Sequence, residues 1–578
     1  MAACARRSAP PVDYAAGVVP NRLTTSAGLD VFPSFSPDGR LLACARDTSG
    51  AFEIHVVSLD GSGKDVAVTS DGKQNVEPSF SPDGEFIAYH SKERGGIWVV
   101  PASGGTPRPL ADFGSKPAFS PNGDLVAFQS QNLTDFLATG APAVPPSAIW
   151  VVPSRGGPAR DVTHEGDPPG GHGAPTFSRD GKKIFFVVTD PKFDNATLFS
   201  VGVDGKDLAR HFTFPRLFDP VIAPDGTTVL FGGGSAQLKY DIWRASIAPG
   251  DSKKAPVPLG VTGVDVPRHL ALSSDGRRLA FSGLSTIGNI WSQPLDPKSS
   301  LASEPARALT KGGGTRNTWP VISPDGKRIA FGRQEPGSSH DVWMMDADGK
   351  NARPITSHPA VDFVQDWFPS GQSLLFTSNR SGEFRLYAVD VANGKVSPFP
   401  VSMKEIATPR LSPDGKSLAY GSRKGGITLN TWVMDIATGT SKALTFDREL
   451  FAYPCWSPDS KLLAAEVKRG DDVHVAVVPA AGGQPEQLTS ATGLSWAFSF
   501  SPDGDKIAFA GYRRGFWNVW WVSRSTREEK RLTSFEKLNA FVRYPSWSRA
   551  GDQIVFEYAE TTGNLWSLEF PRAAGSGR

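Results

Sequence analysis

Ser36-Pro37-Asp38-Gly39 reads as a tight turn between two strands. Proline presets φ, the Asp carboxylate accepts a bond from a nearby backbone N–H, and glycine takes the left-handed conformation. The four positions recur as Ser81-Pro82-Asp83-Gly84, Ser120-Pro121-Asn122-Gly123, Ser178-Arg179-Asp180-Gly181, Ala223-Pro224-Asp225-Gly226 and Ser273-Ser274-Asp275-Gly276. They continue as Ser323-Pro324-Asp325-Gly326, Phe368-Pro369-Ser370-Gly371, Ser412-Pro413-Asp414-Gly415, Ser457-Pro458-Asp459-Ser460, Ser501-Pro502-Asp503-Gly504 and Ser548-Arg549-Ala550-Gly551. In these twelve copies the fourth residue is Gly eleven times and the third is Asp nine times.

A strand pattern repeats around each turn. A short apolar strand such as Pro33-Ser34-Phe35 precedes it, and an alternating one such as Leu41-Leu42-Ala43-Cys44-Ala45 follows. Next comes a strand with an aromatic, as in Ile97-Trp98-Val99-Val100, and then a short one ending in Leu-Thr, as in Ala308-Leu309-Thr310. Four strands in a unit of roughly 45 residues make the blade of a β-propeller. The recurring Trp is expected to fill the tapered gap between blades.

These repeats resemble the TolB-type propeller repeat, which also occurs in the N-terminal propellers of prolyl oligopeptidases and in tricorn protease. The resemblance covers about residues 20–570; the Gly-His and Trp-Asp signatures of WD-repeat propellers are absent. The expected fold is all-β, with twelve four-stranded blades. That exceeds the roughly four to eight blades of one ring, and the six blades of TolB-type propellers imply two six-bladed rings in tandem. A seven-plus-five split satisfies the same topology. The expected organisation is a linker or processed segment at 1–20, a first propeller at 21–295, a linker at 296–305, a second propeller at 306–570 and a tail at 571–578. Arg22–Thr25 is expected to close the first ring beside Asn289–Trp291, and Arg307–Thr310 the second beside Asn564–Leu568.

Composition narrows the function classes. The 578 residues carry 61 Lys+Arg against 59 Asp+Glu, so no basic excess points to nucleic acid. The 35 Phe and 15 Trp exclude disorder as the main state, and 60 Gly with 48 Pro fit many turns. No apolar run is long enough for a membrane-spanning helix. Three cysteines argue against a disulfide framework or a cysteine zinc site, and Cys44 and Cys455 lie in apolar strand patterns. Ala2-Ala3-Cys4 is similar to the end of a bacterial lipoprotein signal. If the start lies upstream, Cys4 is a lipid anchor; the alternative is a linker from a larger protein.

The long insertions, Gln131 to Ser147 and His164 to Gly173, fall on the propeller face opposite the Asp-Gly turns. The two histidines of the second match no metal-ligand spacing, and neither metal nor cofactor is expected. Residues just before each first strand are expected to ring the channel mouths. In the first ring these include Glu77, Lys116 and Asp219, with Arg268 adjacent and His172 nearby; in the second they include Trp319 and Tyr453, with Asp366, Arg410, Trp496 and Arg543 close. These eleven are the candidate ligand-binding residues; the alternative is that they are solvated loop and packing residues.

Asp112-Phe113-Gly114 lacks the rest of a kinase signature, and Gly61-Ser62-Gly63-Lys64 lacks the upstream glycine of a phosphate loop. No Gly-x-Ser-x-Gly elbow is present, so no catalytic residue is assigned. The expectation is a non-catalytic scaffold for a protein, peptide or glycan. The resemblance implies the periplasm or envelope of a bacterium, or the sensor part of a larger regulator. The alternative is a polysaccharide hydrolase or lyase at a channel mouth, for which Glu77, Asp219 and His172 are the nearest groups.

Overall fold

The computed structural model describes residues 12–572 apart from 15–17, 27, 49, 132–146, 191–194, 235–239, 252–253, 314, 336–337, 401–405, 423–428, 446–450 and 470–471. Cys4, most of the insertion after Gln131 and most of the expected tail lie outside the described residues. Within them the chain is all strand and turn, with no helix.

The turn chemistry is carried by serine as well as aspartate. Ser36 Oγ donates to Asp38 Oδ1 at 2.6 Å and accepts the Leu41 N–H at 2.9 Å, while Asp38 accepts the Arg40 N–H at 3.0 Å. The Ser36 hydroxyl, and then the Arg40 N–H, hold the Asp38 carboxyl below its ordinary value. Where the serine is missing, at Ala223, Asp225 instead takes the Thr228 hydroxyl at 2.8 Å.

Each turn joins the first two strands of an antiparallel sheet, for example Asp30–Phe35, Leu41–Thr48, Ala51–Ser58 and Asp65–Ala67. Among the described residues seven sheets stand alone as such quartets. Alternation builds the core: on Leu125–Gln129, Val126 and Phe128 face the preceding sheet and Ala127 the following one. Second-strand aromatics, including Tyr89, Phe128, Phe186, Phe231, Phe281, Phe331 and Phe376, are fully buried and fill the space between sheets. The third-strand tryptophans expected there are half-buried instead, as at Trp98, Trp150, Trp243 and Trp343. Their outer faces take arginines: Arg94 lies 4.6 Å from the Trp98 ring and Arg333 4.5 Å from Trp343.

The expected closure of the two rings is corrected. Asn21 and Arg22 pair with Ser567 and Trp566, and Arg307 and Ala308 with Ser292 and Trp291, the reverse of the expected partners. The cause is two 17-residue strands, Arg278–Pro294 and Gln553–Glu569. At Lys92–Arg94 and Arg514-Gly515 a turn separates second from third strand, but here the β-branched Thr286-Ile287 and Thr561-Thr562 keep the chain extended. Gly283, Gly288 and Gly563 take none of the positive φ values a hairpin turn needs.

The chain therefore divides into two compact units, residues 1–285 with 562–578, and residues 286–561. The expected boundaries at 295 and 306 fall inside the second unit. Residues 296–305, expected as a linker, fold as a turn of that unit: Asp296 N donates to Leu301 O at 2.9 Å, and Trp521 Nε1 donates to Ser300 O at 2.8 Å.

Candidate functional site: the centres of the two units

In unit 1 the first strands Asp30–Phe35, Asn75–Phe80, Ser115–Phe119, Gly171–Phe177, Phe218–Ile222 and Val266–Leu272 neighbour one another in a closed cycle. In unit 2 the strands Arg316–Ile322, Asp362–Trp367, Ala407–Leu411, Phe451–Trp456, Leu494–Phe500 and Ala540–Trp547 do the same. Each of these strands carries a register shift against its partner. The mouth residues expected just before the strands sit inside them, at these bulges. Ten have positive φ: Phe32, Glu77, Lys116, Ala174, Asp219, His269, Trp319, Thr408, Tyr453 and Tyr544. A bulky residue in that region costs about 1–2 kcal/mol, a strain that clusters where side chains are aimed at a function.

In unit 1 the bulges hold one another. Glu77 Oε2 accepts the Lys116 N–H at 2.7 Å, Asp219 Oδ2 accepts the His269 N–H at 2.8 Å, and Lys116 Nζ forms an ion pair with Asp219. Ser282 Oγ accepts the Phe32 N–H at 3.1 Å and lies 3.0 Å from His269 Nδ1, whose ring stacks 3.8 Å from that of Phe32. Burial pushes the Asp219 carboxyl up, but Lys116, through its charge and its hydrogen bond, together with His269 and Arg268 outweighs it and holds the group well below the carboxylate range. Burial pushes the Glu77 carboxyl up too, and the His90 imidazole 3.5 Å away, with the charge and N–H of Lys116, brings it below its ordinary value. Burial, reinforced by Lys116 and Arg268 against Asp219, takes the His269 imidazole down to about 3, so it is neutral.

Two unit 1 candidates lie outside this network. Arg268 stacks 4.2 Å over Phe218. His172 is fully buried, with Nδ1 2.8 Å from Thr163 Oγ1 and Nε2 2.7 Å from Pro168 O. A carbonyl can only accept, so Nε2 carries the proton and Nδ1 accepts from Thr163. Both nitrogens are committed to holding the turn before Gly170. The structure thus brings Glu77, Lys116 and Asp219 together and sets His172 apart from them.

Unit 2 is built differently. Trp319 stacks on Tyr544 at 4.2 Å, with Arg410 5.9 Å from the Trp319 ring and donating to Gln365 O. Asp366 is half-buried and accepts the N–H groups of Trp367 at 2.8 Å and Leu411 at 3.0 Å. Burial raises its carboxyl above the ordinary value despite Arg410 and these bonds. Arg543 is buried between Phe541, at 4.4 Å, and Trp496, at 5.4 Å; burial lowers its pKa, and its Nε and Nη2 have no partner among the described residues. Trp319 Nε1, Thr408 Oγ1 and Trp547 Nε1 are equally without partners. Burial pushes the phenol of Tyr453, at the fourth bulge, well up. Glu466 is 1% exposed, neither carboxylate oxygen has a partner among the described residues, and burial raises it well above its ordinary value.

A cavity of about 380 Å³ opens at this centre, lined by Asp366, Arg410 and Tyr544 together with Trp456, Trp547 and Arg549. Pro413, Pro458 and Pro502 of the Ser-Pro-Asp-Gly turns also line it, so it lies toward the turn-bearing end. Trp456, Trp547 and Arg549 were missed in sequence. The signal for the two tryptophans was an aromatic repeated at the last position of a first strand, one residue before the turn; Arg549 stands in the turn where most copies have proline.

The fold and these centres define a β-propeller protein. The model of the TolB beta propeller domain, PD40, matches residues 14–140, 271–447 and 401–567. The chain belongs to the TolB β-propeller domain family. A TolB homolog of Chlorobium chlorochromatii is 31% identical over 143 residues, 25% of this chain and 32% of that protein. The Tol-Pal system protein TolB of Francisella tularensis subsp. tularensis is 28% identical over 178 residues, 30% of this chain and 40% of that protein. The chain thus spans about a third to two fifths of the length of these relatives. Among solved structures, putative TolB of Agrobacterium tumefaciens aligns with a TM-score of 0.37 at 19% identity, over 50% of this chain and 99% of that one. Tricorn protease aligns with a TM-score of 0.32 at 16% identity, over 88% of this chain and 52% of that one.

No helix of the described residues is long and apolar enough to cross a membrane. Among the described residues no group of three or more His, Cys, Asp or Glu is placed to hold a metal ion.

Proposed function

We propose that this chain is a non-catalytic binding scaffold of two six-bladed propellers, presenting its centres to a protein, peptide or glycan in a bacterial envelope. The observation that carries this reading is the family match, which runs through both units. Relatives named for the Tol-Pal system supply the envelope setting. The chemistry of the centres supports binding over turnover, because Glu77 and Asp219, the carboxylates considered for hydrolysis, are both committed to Lys116.

The arrangement is tested by deleting residues 562–578. Two rings closed as in the pairing of Asn21 with Ser567 predict that unit 1 loses its cooperative melt while unit 2 keeps its own. Partner binding is tested by titrating the purified chain against the Pal protein of the same bacterium, alongside peptidase and polysaccharide-degradation assays. Turnover abolished by Glu77→Gln or Asp219→Asn would overturn the scaffold reading.

A further inference from the structure

We propose that the cavity at the centre of unit 2 binds a small organic anion, its charged head on Arg410 and Arg549 and its apolar body against Trp456, Phe500 and Trp547. This rests on the reading of the chain as a binding protein and gives that reading a ligand.

The size is suitable: about 380 Å³ falls within the roughly 300–1,000 Å³ of small-molecule sites. The charge is lopsided. Two arginines and one aspartate line the space, and both Asp366 oxygens are already taken by backbone N–H groups. Arg410 spends only Nη1, on the Gln365 carbonyl, and Arg549 is exposed with no ion-pair partner among the described residues. A planar guanidinium fork with free donors suits a carboxylate or a phosphate.

The wall repeats the demand for an acceptor. Trp367, Trp456 and Trp547 each end a first strand. The first two donate their indole N–H to the carbonyls of Val321 and Arg410, both at 3.0 Å, whereas Trp547 has no acceptor among the described residues. A buried donor left unpaired costs about 1–3 kcal/mol, which an acceptor brought in by a ligand would recover. The aromatic lining argues against an inorganic ion, since a naked ion leaves that apolar surface uncovered. Entry is from the turn-bearing end, where Pro413, Pro458, Pro502 and Arg549 line the cavity.

Calorimetric titration of the intact chain with phenylacetate, phenyl phosphate, neutral phenylacetamide and inorganic phosphate tests this. Both organic anions are expected to bind, with phenylacetamide and inorganic phosphate at least tenfold weaker. Arg549→Ala, at an exposed position that leaves folding intact, is expected to weaken the organic anions roughly 10- to 100-fold. Arg410→Met is expected to do the same without shifting phenylacetamide. Phenylacetamide binding as tightly as phenylacetate, an Arg549→Ala chain binding the anions like the wild type, or no anion binding at all would each overturn the proposal. A chain that binds Pal but no organic anion sinks this inference alone. One that binds the anions through Arg549 and no envelope partner sinks the scaffold reading alone.

Discussion

The two centres are built on the same bulged first strands and solve the burial of polar groups in opposite ways. In unit 1 the residues at the bulges answer one another: Glu77 takes the Lys116 N–H, Lys116 takes Asp219, and Asp219 takes the His269 N–H. Unit 2 sets aromatic rings at corresponding places and, among the described residues, leaves Trp319, Thr408, Arg543 and Trp547 with unused donors and Glu466 with an unused carboxyl. Buried polar groups are ordinarily paired, so a closed network indicates a structural hub, and a centre with spare donors indicates a place where something else supplies the acceptors. One repeated motif thus frames a centre that is largely self-paired in unit 1 and, among the described residues, a centre with spare donors in unit 2.

The sharpest way to break this contrast is to remove one partner from each centre. Asp219→Ala leaves the Lys116 ammonium and the His269 N–H buried without their acceptor, and is expected to cost about 3–5 kcal/mol in unit 1. Thr408→Ala, at the third bulge of unit 2, removes a hydroxyl that already has no partner, and is expected to change stability by less than about 0.5 kcal/mol. Urea unfolding of both variants decides it. Equal costs would mean that the two centres are equally satisfied.

Glu466 gives the contrast a pH dependence. Its folded pKa lies far above the ordinary 4.5 because burial disfavours the charge. Between 4.5 and that raised value the unfolded chain releases the proton while the folded chain keeps it, so stability falls as pH rises through this window. Glu466→Gln has no proton to keep. It is expected to match the wild type near pH 4 and to exceed it increasingly as the pH rises. Thermal melts from pH 4 to pH 8 check this; a difference that stays constant with pH would show that Glu466 is not the titrating group.

How much of this was legible in the sequence follows from how local each feature is. The turn is written in four residues, and the Ser36 hydroxyl and Asp38 carboxylate close it locally. The bulge residues were legible because most of them precede a proline, as Glu77 precedes Pro78 and Trp319 precedes Pro320. The exchange between the long strands was not. Its deciding contacts are remote, such as the Leu565 N–H on Thr24 Oγ1 at 3.0 Å, 541 residues apart in the chain. Fourth-strand motifs look alike at both ends, so choosing the right partner depended on noticing that Thr286-Ile287 and Thr561-Thr562 lack a turn. The cavity was hidden for a related reason: it is defined by which donors find no partner, and that depends on six strands at once.

The smallest expected effect concerns the turns. All six turn motifs of unit 1 end in glycine, whereas unit 2 has Ser460 at φ 61, where the other eleven copies have glycine at φ 68 to 78. A side chain there costs about 1–2 kcal/mol in backbone strain. Two opposing effects reduce what Ser460→Gly regains: glycine's larger unfolded-state entropy, and loss of the 3.3 Å bond from Asp414 N to Ser460 Oγ. The net expectation is a gain of about 0.5 kcal/mol, read as a rise in the urea midpoint. The converse change in unit 1 isolates the strain. Nothing lies within 4 Å of a Cβ placed on Gly226, so Gly226→Ser meets no clash and is expected to cost about 1 kcal/mol from the backbone alone. If Gly226→Ser costs nothing, the left-handed turn is not what selects glycine, and Ser460 needs no relief.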